Sequence, residues 1–81
     1  MNNLEKYNKI FTEVFNVDES KLPDLNYQSI NEWDSVGHMN LISSLENTFN
    51  IMLDTTDVID FSSYVKGKEI LSKKEYGVIF E

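Results

Sequence analysis

Near the start of the chain, apolar side chains recur every three or four positions. Leu4, Tyr7, Ile10, Phe11, Val14 and Phe15 are separated by polar residues, the pattern of an amphipathic helix with one buried stripe. It predicts a first helix from about Asn3 to Phe15. The period is clearer over 35–50, where His38, Leu41, Ile42, Leu45 and Phe49 fall on one arc of a helical wheel and Asn40, Ser43, Ser44, Asn47 and Asn50 lie opposite. Asp34 or Ser35 is placed to cap this second helix. Asp54, Thr55 and Thr56 offer another cap ahead of Val58, Ile59 and Phe61, which predicts a short third helix. Ser62 or Ser63 starts a fourth, running to about Lys73, with Tyr64, Val65, Ile70 and Leu71 as a looser stripe. Gly67 inside it is expected to weaken the helix by about 1 kcal/mol relative to Ala, and its lysines suit the negative end of the helix dipole.

Residues 16–34 show no sustained period. Pro23 and its Asp, Asn and Ser neighbours favour turns. A connection of this length is unusual in a compact domain, so Val17, Leu22, Leu25, Tyr27, Ile30 and Trp33 are expected to pin parts of it to the core. No segment alternates strictly as a strand does. The apolar tail Gly77-Val78-Ile79-Phe80 is open to two readings, a segment folded back on the core or a short extended piece. The expected fold class is all-α: a bundle of three main helices and one short helix, with a long first loop, as a single domain over 1–81.

With 81 residues of which 41% are hydrophobic, the chain carries enough apolar material for one small core and too much for disorder. It has no cysteine, which excludes disulfides and thiolate metal sites. The first residues lack an apolar run, and no stretch is long enough to span a membrane; a cytoplasmic protein without membrane attachment is the expectation. Net charge is −7, and residues 11–65 hold ten acidic side chains against Lys21 alone. That balance disfavours nucleic acid and favours basic protein surfaces. Asp54, Asp57 and Asp60 do not have the spacing of an EF-hand loop. They read as capping and surface charge, so no metal site is expected.

The stretch with most chemical content is Glu32-Trp33-Asp34-Ser35-Val36-Gly37-His38-Met39-Asn40-Leu41-Ile42. It sets a serine, preceded by an aspartate, at the start of an amphipathic helix, where free N–H groups and the positive helix end favour an attached phosphate. Here the chain resembles the acyl carrier proteins, which carry an Asp-Ser-Leu or Asp-Ser-Val motif at the start of their second helix. The likeness extends over nearly the whole chain: first helix, long loop, Asp34-Ser35-Val36, a helix with Leu41-Ile42, Leu45-Glu46 and Phe49, then an acidic turn and the last helices.

The resemblance implies that a phosphopantetheinyl transferase attaches 4′-phosphopantetheine from coenzyme A to Ser35. It implies that Asp34 supports this by helping to position coenzyme A and metal on the transferase. The arm's thiol then holds acyl or aminoacyl groups as thioesters and presents them to acyl-loading and acyl-transferring enzymes, as in fatty acid biosynthesis. The carrier itself catalyses nothing, and the protein is expected to be a monomer. The partner face implied is the outer side of the second helix: Val36, Met39, Asn40, Ser43, Glu46 and Asn47. Two departures point to a specialised carrier rather than the main fatty-acid one. Gly37 stands where those members have a second acidic residue, and Glu46 is the only acid in 35–50.

Other readings accompany these. Ser35 and Asp34 as helix caps alone would leave an acidic helical interaction module without a prosthetic group. His38, three residues after Ser35 and on the same face, makes a Ser–His nucleophile pair conceivable, though no orienting acid or oxyanion hole is evident; lining a groove beside the arm or packing on the long loop is the competing role. Trp33 is read chiefly as the anchor of that loop.

Overall fold

The computed structural model describes residues 1–80. Four α-helices, α1 (Asn3–Phe15), α2 (Ser35–Phe49), α3 (Thr55–Asp60) and α4 (Tyr64–Leu71), and one 3-10 helix (Glu19–Asp24) make up its regular structure. Among the described residues there is no strand, only an isolated bridge between Asn26 and Ser63. The all-α class is therefore as expected.

Three of the four α-helices begin with a polar side chain that satisfies an open N–H group. A capping box starts α1: Asn2 Oδ1 accepts from the Glu5 N–H at 2.8 Å, and Glu5 Oε1 accepts from the Asn2 N–H at 3.0 Å. Asn16 ends α1 and Asn50 ends α2, both in the left-handed region, a conformation asparagine tolerates. Asp34 caps α2 and Ser63 caps α4. Asp54 holds the cap position of α3, but its side chain makes no capping hydrogen bond. The fourth helix is shorter than its sequence pattern, ending at Leu71, and Val65 from its stripe is exposed.

The core is largely aromatic. Phe11 sits at its centre, with its ring within 6.4 Å of those of Tyr7, Phe15, Trp33, Phe61 and Tyr64. Such pairs add about 0.5–1.5 kcal/mol each beyond the area they bury. The Tyr7 hydroxyl donates to the Tyr64 carbonyl at 2.7 Å inside this cluster. Burial first, and the neighbouring Tyr64 second, hold the Tyr7 hydroxyl well above the ordinary tyrosine range. Gly67 leaves room for two core rings here: a Cβ on it would lie 2.2 Å from Phe61 Cζ and 2.3 Å from Tyr7 Oη. Gly67, read from sequence as a weak point of its helix, is the residue that lets the helix reach the core.

The long connection is more ordered than its composition implies. Asp18 caps the 3-10 helix by accepting from the Ser20 N–H at 3.1 Å, and Leu22 and Leu25 are buried beneath it. The Tyr27 N–H donates to the Ser62 carbonyl at 2.8 Å, and the Tyr64 N–H to the Leu25 carbonyl at 3.1 Å. These bonds lay the loop against the α3–α4 junction. Trp33 is fully buried and stacks on Phe15 at 4.9 Å, as its anchoring role requires. Tyr27, expected to pin the loop, is instead partly exposed.

The tail folds back. After a turn at Gly77, whose φ is +65°, the Val78 N–H donates to the Leu71 carbonyl at 3.0 Å. Val78 is buried, and Phe80 meets the rings of Tyr7 and Phe49.

Candidate functional site

The amino end of α2 is built from three neighbours. Asp34 Oδ1 accepts from the Gly37 N–H at 2.8 Å, and the His38 N–H reaches the Asp34 carbonyl at 2.8 Å. This leaves the leading N–H groups of Ser35 and Val36 without intrahelical acceptors. Ser35 is the first helical residue and is exposed. Gly37, in contrast, is buried: a Cβ there would lie 2.0 Å from the Glu32 carbonyl oxygen and 3.3 Å from Phe15. The end of the long loop is thus pressed onto the first turn of α2, and glycine is what permits the contact.

Beside Ser35 a groove of about 350 Å³ runs between α2 and α3, at the small end of the roughly 300–1,000 Å³ of ligand pockets. Ser35, His38 and Met39 form one wall and Val58, Ile59 and Phe61 the other, with Tyr27 and Ser62 at the margin. Its lining is predominantly apolar. Sequence reading assigned Val58, Ile59 and Phe61 to a short helix but not to this groove, because nothing in a local period tells which distant helix faces them.

Trp33 Nε1 donates to His38 Nδ1 at 3.0 Å, and His38 Nε2 lies 2.8 Å from the Val58 carbonyl. Because indole nitrogen only donates, Nδ1 must accept, and Nε2 carries the proton given to Val58. His38 therefore does both things expected of it: it lines the groove and it holds the long loop. Neither ring nitrogen is left free to take a proton from Ser35.

The face expected to meet partners is mostly solvent-facing. Val36 is 68% exposed and Met39 53% exposed, and Asn40, Ser43 and Asn47 are exposed too. Glu46 differs: it is half-buried, and its Oε2 accepts from the Leu53 N–H at 2.9 Å. Ile59, 73% exposed on α3, adds an apolar side chain across the groove that the sequence pattern did not single out.

The acidic residues after α2 are rearranged relative to expectation. Asp57 is not surface charge. It is 4% exposed, bonded to Lys73 Nζ at 2.6 Å and to the Tyr76 hydroxyl at 2.5 Å. The Lys73 contact, then that of Tyr76, holds its carboxyl below the ordinary range. Asp54 and Glu75, rather than Asp60, come near it, with one ligand atom of each of the three within 4.8 Å of the others. Both Asp57 oxygens are already taken, and the group serves to tie α3 to the tail.

These features define a small all-α domain with an exposed serine at a helix start beside an apolar groove. No helix of the described residues is long and apolar enough to cross a membrane. Comparison of the chain with protein-family models, curated proteins and solved structures finds no match.

Proposed function

We propose that this chain is an acyl carrier domain whose Ser35 is the attachment point of 4′-phosphopantetheine. The observation that carries the reading is the position of Ser35: exposed, first in α2, and at the edge of an apolar groove. The residues present suit the group. Two open N–H groups, on Ser35 and Val36, favour a phosphate, and Asp34 has satisfied only the next one along. In attachment, the Ser35 oxygen forms the new P–O bond, its proton leaves to a base on the transferase, and the pyrophosphate bond of coenzyme A breaks, releasing adenosine 3′,5′-bisphosphate. When bound, the arm supplies a thiol that holds acyl or aminoacyl groups as thioesters.

The chain's own residues then position the arm and leave the chemistry to partners. α2 fixes the anchor and the exposed Val36 and Met39 flank it. A tether raises the local concentration of cargo at each partner enzyme. Its partners are a phosphopantetheinyl transferase and acyl-loading and acyl-transferring enzymes. The neutral outer face of α2 supports a specialised carrier rather than the main fatty-acid one.

Incubation with coenzyme A and a broad-specificity transferase tests this by intact mass. The expected result is addition of one phosphopantetheine to the wild type and none to Ser35→Ala. An unmodified wild type, alongside a control carrier modified to completion, overturns the reading and leaves a helical interaction module without an arm.

A further inference from the structure

In the α2 wall of the groove beside Ser35, His38 is the residue bonded both to the long loop and to α3. The imidazole stands between two groups that belong to different parts of the chain: the indole of Trp33, at the end of the long loop, and the carbonyl of Val58, in α3. Its ring is stacked parallel to that of Trp33 at 6.2 Å and meets the edges of Tyr27 at 5.4 Å and Phe61 at 6.1 Å. Behind it lies Trp33, which has no exposed surface and is itself packed on Phe11 and Phe15. A ligand moving from the groove toward the bundle interior must separate α3 from α2 at this point.

Separation has a specific physical obstacle. It strands the His38 Nε2–H and the Val58 carbonyl in surroundings that an apolar ligand cannot satisfy. Buried donors and acceptors without partners are strongly disfavoured, while the Trp33 N–H, bonded to His38 Nδ1, keeps the imidazole oriented toward Val58. Sliding along the surface groove breaks no such bond. There the ligand meets Met39, Val58, Ile59 and the face of Phe61.

We infer that His38 sets the depth of this groove, so that an acyl group carried on Ser35 is held at the surface between α2 and α3 and only its first few carbons are sheltered. The class of cargo this suits is a short acyl group; a long chain leaves its distal part in solvent or on a partner enzyme. The inference rests on the carrier reading, with His38 as a specificity-determining residue that latches α3 to α2 through the Val58 carbonyl.

The test uses the full chain modified with butanoyl-, octanoyl- and dodecanoyl-coenzyme A by a broad-specificity transferase, with methyl NMR spectra of each product. Intact mass is read first. Failure of all three to attach, with coenzyme A itself also failing, counts against the carrier reading and is seen before any spectrum is compared. With the groups attached, wild-type shifts are expected at Met39, Val58 and Ile59, reaching a plateau between butanoyl and octanoyl, with Leu41 and Leu45 unmoved. Shifts at Leu41 and Leu45 that grow with chain length, or no shift at the groove for any chain, overturn the inference. In His38→Ala the plateau is expected to move to the longer chains and the interior leucines to respond. An unchanged plateau in a folded His38→Ala overturns the assignment of the latch to His38. Should that variant not fold, His38→Phe keeps an aromatic ring and removes the donor to the Val58 carbonyl, and the same comparison is made on it.

Discussion

A side-chain carbon on Gly37 would sit 2.0 Å from the carbonyl oxygen of Glu32. The backbone of the long loop occupies the space that any other residue would need. Alanine is the better helix former by about 1 kcal/mol, yet Gly37→Ala is expected to destabilise the domain by about 1–3 kcal/mol, the usual range for overpacking. Urea denaturation followed by circular dichroism checks the sign. A stabilised Gly37→Ala would show that the loop yields easily.

Gly67 gives a second sign reversal. Helix propensity alone has Gly67→Ala stabilising by about 1 kcal/mol. The close approach to Phe61 and Tyr7, both essentially without exposed surface, predicts instead a loss of about 2–3 kcal/mol, measured as a lowered denaturation midpoint with little change in slope.

The Asp57 contacts set the pH response. Hydrogen bonding to Lys73 lowers the Asp57 pKa and raises that of Lys73. A lowered folded pKa gives stability that is present above the unfolded value and lost as pH falls through the folded one; Asp57 therefore acts below about pH 4. A raised folded pKa gives stability present below the unfolded value and lost as pH rises through the folded one. For Lys73, and for Tyr76, raised by burial and then by Asp57, that loss lies above about pH 10. Thermal melts across pH are expected to show a shallower acid limb in Asp57→Asn than in the wild type. Lys73→Ala, which leaves the buried carboxylate with Tyr76 alone, is expected to lower the melting temperature at neutral pH. Superimposable acid limbs would refute the assignment to Asp57.

The Trp33–His38 bond predicts a tautomer. Nitrogen-15 NMR of the imidazole at neutral pH is expected to show Nε2 protonated and Nδ1 bare, and the indole N–H of Trp33 is expected to exchange slowly. Trp33→Phe strands Nδ1 in partly buried surroundings and leaves a cavity beside Phe15, and is expected to cost about 2–4 kcal/mol. A protonated Nδ1 in the wild type would contradict the geometry.

Much of this architecture can be read from residue order. The α1 stripe and the α2 arc have long, regular periods, and the observed helices follow both closely. Capping is a local preference, so the caps narrow to Asp34 or Ser35 and to Ser62 or Ser63 from sequence, and the fold selects Asp34 and Ser63. The 3-10 helix was not recognisable: six residues around Pro23 are too few to establish a period. Asp57 reads as surface charge because carboxylates are seldom buried unless paired, and its partners lie 16 and 19 residues further on. The groove depends on Tyr27, His38, Val58 and Phe61 meeting across three segments, and the glycine contacts depend on which loop backbone or core ring comes up against each glycine. Both are tertiary facts that periodicity does not encode.

Glu46 is the only charged side chain of α2, and its bond to the Leu53 N–H turns it toward the α2–α3 turn. The rest of that helix's outer surface is neutral. A protein docking along it feels two separable influences. The overall negative charge acts across solvent and is damped by added salt, while the final fit depends on matched shape and expelled water, which ionic strength scarcely touches. Approach and grip are thereby assigned to different parts of the molecule, and each can be altered without disturbing the other.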